Sequence, residues 1–110
     1  MKTQQQQQTT IDYKPLKKYF SKESNWCRHA FAKDSNGDVI TGGIRESVNN
    51  PKTVKRCLLG SIVYLYEDDR VVDKIEKRIK SVIKRSIIDF NDNSSFEKVQ
   101  DMVNKLPDKE

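Results

Sequence analysis

In the second half of the chain, apolar residues recur with the period of an α-helix over three consecutive segments. Asn50 followed by proline is a helix start signal, and the apolar stripe after it predicts a helix over 52–67. An aspartate cap and a second stripe predict a helix over 68–87. A capping box at 94–97 opens a third helix, which Pro107 ends.

The residues expected to be buried on these helices share one face of each. They are Val54, Cys57, Leu58, Ser61, Ile62 and Leu65 in the first, Val71, Val72, Ile75, Ile79, Val82, Ile83 and Ser86 in the second, and Phe96, Val99, Val103 and Leu106 in the third. A buried stripe of this width is typical of helices that pack on one another.

The first half of the chain predicts one more helix and a turn. Apolar residues at helical spacing favour a helix over 11–22, with Pro15 in its first turn. Asn36-Gly37 is a strong hairpin signal for a type I′ turn, in which both central residues have positive φ. We therefore expect a mainly α fold, a compact bundle of about four short helices with a small β-hairpin or ordered loop near 29–41.

The chain is expected to hold one small domain between two tails. Five consecutive glutamines make 1–10 a polar tract that cannot bury apolar surface, so we expect a disordered Gln-rich tail there. Residues 11–107 form the expected single helical domain, and 108–110 a short tail. Only 35% of the residues are hydrophobic, which limits the core to a small one.

The length of the apolar runs and the presence of only two cysteines indicate the cellular compartment in which the protein is expected. The longest uncharged run covers 57–66, which is far shorter than the roughly 20 residues that span a bilayer. No apolar stretch near Met1 reads as a signal peptide. The two cysteines are then expected to be free thiols, and the protein to be cytoplasmic and not membrane-bound.

The net charge of +5 is concentrated in a few segments, of which 70–85 carries seven basic and two acidic residues. Such a basic helix can neutralise phosphates or meet an acidic protein surface, and it can equally be the solvated face of a packed helix. Two tyrosines, Tyr64 and Tyr66, lie opposite the buried stripe of the preceding helix and are candidates for an exposed interface. The candidate binding residues are Arg70, Lys74, Lys77, Arg78, Lys80, Lys84, Arg85, Tyr64 and Tyr66.

Three short motifs follow one another along the chain. The first runs from Trp26 to Gly37 as W-C-x-x-A-x-A-x-D-x-x-G, the second is C-L-L-G at 57–60, and the third is F-N-D at 90–92. Together they resemble a family of small bacterial and phage-encoded proteins of unknown function. The resemblance implies a compact, mainly helical domain and no established activity, and His29 stands where a glycine is common. The motif positions expected to be structural are Trp26, Cys27, Asp34, Gly37, Cys57, Gly60, Asn91 and Asp92.

The types and spacing of the cysteine, histidine and aspartate residues argue against a catalytic or metal site. Cys57, His29 and Asp92 suggest a cysteine hydrolase, but the predicted helix buries Cys57 two turns from its start, where the helix dipole cannot activate it. Zinc requires four ligands, and the spacing of Cys27 and His29 does not fit. The Asp34 turn lacks the glycine and glutamate of an EF-hand. We expect no catalytic residue, no metal and no cofactor.

These observations favour a non-enzymatic binding domain that acts through a protein partner. The resemblance adds an accessory or anti-defence role in a phage or mobile element as part of that hypothesis. A nucleic-acid-binding module that uses the basic helix over 70–85 is the alternative, and a cysteine hydrolase ranks third. No feature of the sequence distinguishes a monomer from an oligomer.

Overall fold

Six helices and a two-stranded ladder make up the fold of residues 10–110, the part of the chain that a computed structural model describes. The expected tail 1–10 lies outside the described residues except for Thr10. In chain order the elements are α1 (Lys14–Tyr19), a 3-10 turn (Glu23–Asn25), β1 (Ala32–Lys33), α2 (Ile44–Val48), β2 (Lys55–Arg56), α3 (Leu58–Leu65), α4 (Asp69–Ile83), α5 (Ile87–Asp92) and α6 (Phe96–Asn104). The mainly α fold with a small hairpin is confirmed.

The main core is formed by α1, α3, α4, α5 and α6 together with Trp26. Tyr13, Phe20 and Leu16 are the largest of its side chains that are fully buried. A smaller cluster of Ala32, Val48 and Val63 fills the space between the ladder, α2 and α3. The helical spacing of apolar residues in the sequence therefore predicted most of the core correctly, because the buried stripe of a helix is defined by residues that are close in the chain.

The helix expected over 52–67 is wrong in its first half. Residues 51–54 form a turn, β2 follows, and the helix begins only at Leu58. β2 pairs antiparallel with β1, with Ala32 opposite Arg56. Val54, expected on the buried stripe, is consequently exposed. Pairing with a distant strand has overridden the local helical spacing.

The expected turn at Asn36-Gly37 forms, with a different geometry. The Gly37 amide donates to the Asp34 carbonyl at 3.0 Å, and a bridge between Lys33 and Val39 closes the loop. Of the four turn residues only Gly37 has a positive φ, at 85°. This is the pattern of a type I turn followed by a left-handed glycine, and not the type I′ turn that was expected.

The basic helix ends one turn earlier than expected. Lys84 adopts a left-handed conformation after Ile83, and the Ser86 hydroxyl then accepts the Asp89 amide at 3.0 Å, which starts α5. Val82 and Ser86, both expected to be buried, are exposed. Because the chain changes direction here, Ile87 and Phe90 can reach the core.

The two ends of the described chain pair with each other. Ile11 and Glu110 exchange both backbone hydrogen bonds, at 2.7 and 2.9 Å, and the Tyr13 amide donates to the Asp108 carbonyl at 2.8 Å. Residues 108–110 are therefore part of the fold and not the tail that was expected. No helix among residues 10–110 is long and apolar enough to cross a membrane.

Candidate functional site

An apolar cleft of about 390 Å³ opens beside the N-terminal end of α3. One wall comes from residues 29–31, the opposite wall from 39–42, and the floor from Cys57, directly before α3, and from α5. The Asp34–Gly37 turn sets the distance between the two walls, since it folds residues 39–42 back against 29–31. We call this the turn cleft.

The turn that builds the cleft is held by one carboxylate. Asp34 Oδ1 accepts the backbone amides of Asn36 at 2.9 Å and Asp38 at 3.0 Å. An aspartate that bonds to amides two and four residues later is typical of an Asx turn. The segment 34–38 is therefore an Asx-rich turn closed by its own aspartate.

Two large apolar side chains stand at the turn cleft without being covered. Val39 is 55% exposed and Ile88 is 44% exposed, and both line the cavity. Neither was singled out from the sequence, although the doublet Ile87-Ile88 was a usable signal, because consecutive residues of a helix point in different directions and only one of the two faces the core here. Exposed apolar side chains beside a concave apolar surface are typical of an interaction site.

Cys57 is the N-cap of α3, and so the expected position two turns inside a helix is wrong. Its Sγ accepts the Gly60 amide at 3.3 Å. The residue is 4% exposed, and burial raises the pKa of its thiol to about 11, although the Gly60 amide acts in the opposite direction. The thiol is therefore protonated at neutral pH, despite the helix N-terminus.

His29 and Asp92 line the turn cleft together with Cys57, so the structure brings the three residues of the hydrolase hypothesis to one cavity. The His29 backbone amide donates to Asp92 Oδ1 at 2.8 Å, whereas His29 Nδ1 lies 3.7 Å from Asp92 Oδ2. The His29 side chain is 70% exposed. Its φ of 65° lies in the region that favours glycine, the residue common at this motif position.

Asn91 is the centre of a buried polar network beneath the cleft. Its Oδ1 accepts the Trp26 indole N–H at 2.6 Å and the Leu58 amide at 2.9 Å, and its Nδ2 donates to the Cys27 carbonyl at 3.1 Å. Asn91 and its neighbour Asp92 both belong to α5. Because all these partners are buried, the role of Asn91 is to hold three segments together.

Cys27 supports the same network and contributes no reactive thiol. It is buried, its Sγ lies 3.6 Å from the Ala30 carbonyl, and burial raises the pKa of its thiol to about 12. Trp26 is 7% exposed, in agreement with its interpretation as a core anchor. Among residues 10–110, no group of three or more His, Cys, Asp or Glu residues is placed to hold a metal ion.

The basic residues of 70–85 lie apart from the turn cleft, mostly on the outer face of α4. Arg70, Lys74 and Lys77 share that face through their i, i+4, i+7 spacing. Four ion pairs reduce the free positive charge, joining Arg70 to Asp68, Lys77 to Asp73, Arg78 to Glu110 and Arg85 to Asp89. Lys74, Lys80 and Lys84 have no ion-pair partner in the described part of the chain.

The two tyrosines have different surroundings. Tyr64 is 40% exposed, as expected, and the Arg56 guanidinium lies 3.4 Å above its ring centre. Tyr66 packs on the main core and its hydroxyl donates to the Asp12 carbonyl at 2.7 Å, so it is not the exposed ring that was expected. Only Tyr64 of the pair is available as a contact surface.

Comparison of the chain with protein-family models, with curated proteins and with solved structures finds no match.

Proposed function

We propose that the protein is a non-enzymatic binding domain whose partner is another protein, and that the partner inserts an apolar side chain into the turn cleft. The observation that carries this proposal is the pair of exposed residues, Val39 and Ile88, at an apolar cavity of about 390 Å³. A concave apolar pocket with uncovered apolar walls gains free energy when an anchor side chain fills it. Most binding energy in protein interfaces comes from a few anchors of this kind.

The state of Cys57 favours binding over catalysis. A cysteine nucleophile must be a thiolate with a base in reach, but burial raises the pKa of the Cys57 thiol to about 11. The Sγ atom already accepts the Gly60 amide, and the His29 side chain is turned largely toward solvent. The cleft residues thus supply shape and an apolar surface, and the hydrolase ranks below the binding functions.

A nucleic-acid-binding module remains the second candidate, because one observation favours it. Arg70, Lys74 and Lys77 follow the outer face of α4, and Lys74 has no ion-pair partner within residues 10–110. A basic ridge of this kind attracts phosphates, and the interaction weakens steeply with salt. The ion pairs of Arg70 and Lys77 lower the positive potential of the same ridge, which is why the protein partner is preferred.

The biological setting is part of the proposal. Two free thiols suit a reducing compartment, which favours the cytoplasm. An accessory or anti-defence role in a phage or mobile element rests on the sequence motifs alone.

The role of the turn cleft is tested by replacing its two exposed apolar residues with aspartate. In the double variant Val39→Asp/Ile88→Asp, partner capture from the native host should fall about ten-fold or more, because a buried carboxylate loses its hydration without gaining a partner. The matched control is Val54→Asp/Val82→Asp, which charges two valines of similar exposure elsewhere. Quantitative mass spectrometry of the captured proteins measures the difference.

If the unchanged protein, the Val39→Asp/Ile88→Asp variant and the control variant all capture a partner equally, the turn cleft does not bind that partner. Capture that disappears on nuclease treatment, together with steeply salt-dependent binding of the purified protein to random duplex DNA, supports the second candidate instead.

A further inference from the structure

Arg56 is a buried cation that lacks a buried anion. The residue is 7% exposed, and no carboxylate in the described part of the chain pairs with it. Its Nε donates to the Val48 carbonyl at 2.9 Å, its Nη1 approaches the Tyr19 hydroxyl at 3.4 Å, and its guanidinium stacks on Tyr64. These neutral contacts satisfy part of the guanidinium but leave its charge uncompensated.

An uncompensated charge at this depth points to a missing partner. Removing an ion from water costs several kcal/mol in real proteins, and a nearby opposite charge is the usual compensation. Arginine stays charged at all physiological pH values, so Arg56 cannot avoid the cost by losing its proton. The region around Arg56 therefore favours the arrival of an anion.

A second cleft, of about 350 Å³, lies between α1 and the end of α3, and Arg56 is near it without lining it. Tyr19 separates the two: it lines this cleft, its hydroxyl faces Arg56 Nη1, and that hydroxyl donates to the Asn25 carbonyl at 2.7 Å. We call it the α1 cleft. Its lining consists of Pro15, Lys18, Tyr19, Ser21, Lys22, Asn25 and Leu65.

The lining of the α1 cleft combines positive charge with apolar surface. Lys18 and Lys22 stand at its wall, are exposed, and have no ion-pair partner among residues 10–110. Pro15 and Leu65 supply apolar surface beside them. Lys18 and Lys22 line the cavity and Arg56 lies behind Tyr19, so all three contribute positive potential there, which raises the local concentration of anions.

We infer that the α1 cleft binds an acidic peptide segment of a partner protein, with a carboxylate held by Lys18 and Lys22 in the positive potential of Arg56, and a neighbouring apolar side chain packed on Pro15 and Leu65. A carboxylate next to an apolar residue matches both parts of the lining, whereas a phosphate alone would leave the apolar part uncovered. The inference rests on the proposed function only in taking a protein as the partner. It uses a cleft at the opposite end of α3 from the turn cleft.

The test is a titration followed by ¹⁵N–¹H NMR of the full chain. The probe is a capped peptide of alternating glutamate and leucine, and the comparison peptide has glutamine in place of glutamate. We expect the glutamate peptide, at about 1 mM affinity, to shift the amide signals of Lys18, Tyr19, Lys22 and Leu65 and the Nε–H signal of Arg56. The glutamine peptide should produce less than about a fifth of that response at equal concentration.

A pair of surface variants separates this cleft from general charge effects. Lys18→Gln/Lys22→Gln should weaken binding of the glutamate peptide about five-fold, because two charge-assisted contacts are lost. The control Lys52→Gln/Lys98→Gln removes the same charge from exposed positions elsewhere and should leave the affinity unchanged.

The inference is overturned by equal responses to the two peptides, by equal weakening in the two double variants, or by signals that move with inorganic phosphate and not with the glutamate peptide. No shift up to about 10 mM peptide overturns it as well. None of these outcomes affects the test of Val39 and Ile88, so the two proposals fail separately.

Discussion

At the scale of single residues, one buried amide determines where three segments of the chain meet. Asn91 is fully buried, and its side chain joins α5 to residues 26–27 and to the first residue of α3. An asparagine can both donate and accept at fixed positions, which neither an aspartate nor an apolar side chain can do. The position of Asp92 and His29 at the turn cleft follows directly from this contact.

Asn91→Ala should lower the free energy of unfolding by about 3–5 kcal/mol, because it leaves the Trp26 indole N–H and the Leu58 amide buried without acceptors. Asn104→Ala is the control, since Asn104 is exposed at the end of α6, and its effect should stay within about 0.5 kcal/mol. Urea unfolding of the two variants measures both values. A loss below about 1 kcal/mol for Asn91→Ala would show that the network is not what holds these segments.

At the scale of elements, α3 is the helix on which both clefts depend. Cys57 at its beginning lines the turn cleft and Leu65 at its end lines the α1 cleft. Eight residues of helix separate the two by about 12 Å along the axis. The first turn of α3 lies so close to Phe31 that a Cβ atom on Gly60 would stand 2.5 Å from the Phe31 carbonyl oxygen.

Gly60→Ala should therefore destabilise the protein by about 1–3 kcal/mol, because the ladder strand or the helix must move to admit the methyl group. The sign of the change in the free energy of unfolding is informative, because alanine is otherwise a better helix former than glycine by about 1 kcal/mol. Ser81→Ala in the exposed face of α4 provides the matched control and should be neutral or stabilising. Thermal or urea unfolding of both variants measures the difference, and a stabilised Gly60→Ala would contradict the close approach.

At the scale of the whole molecule, the fold keeps several weak acids protonated. Burial raises the pKa of Cys57 to about 11, of Cys27 to about 12 and of Tyr66 to about 12. In the unfolded chain these groups ionise at their ordinary values, 9.0 for cysteine and 10.0 for tyrosine. Between those values and the folded values the unfolded state holds fewer protons, so stability falls as the pH rises.

The free energy of unfolding should be nearly constant from about pH 7 to 8.5 and should then decrease steadily toward about pH 11–12. The expected contribution of Cys57 to this decrease is roughly 3 kcal/mol, because its pKa is raised from 9.0 to about 11 and each unit of pKa corresponds to about 1.4 kcal/mol. Urea unfolding at a series of pH values measures the slope, and the Cys57→Ala variant should have a shallower slope than the wild type. Equal slopes in the two proteins would mean that the Cys57 thiol is not protected by the fold.

The sequence by itself determined the parts of this protein that depend on near neighbours in the chain. The buried stripes of α4 and α6, the Asp68 cap and the Asp34–Gly37 turn all follow from relations within about four residues. The capping box expected at 94–97 does not form, because the N-cap of α6 is Ser95 and Lys98 occupies the position that needs a glutamate. Each of these elements satisfies its own hydrogen bonds, which is why local spacing was enough to identify it.

Only the tertiary structure decided the two clefts. Residues 55–56 have helical spacing but become a strand, because they pair with residues 32–33 more than twenty positions earlier. That pairing places Cys57 at a helix N-cap and buries the Arg56 guanidinium behind Tyr19. The C-terminal residues join the fold through Ile11 and Tyr13 in the same way. Contacts between distant segments leave no periodic trace in the sequence, and both proposed binding sites are made of such contacts.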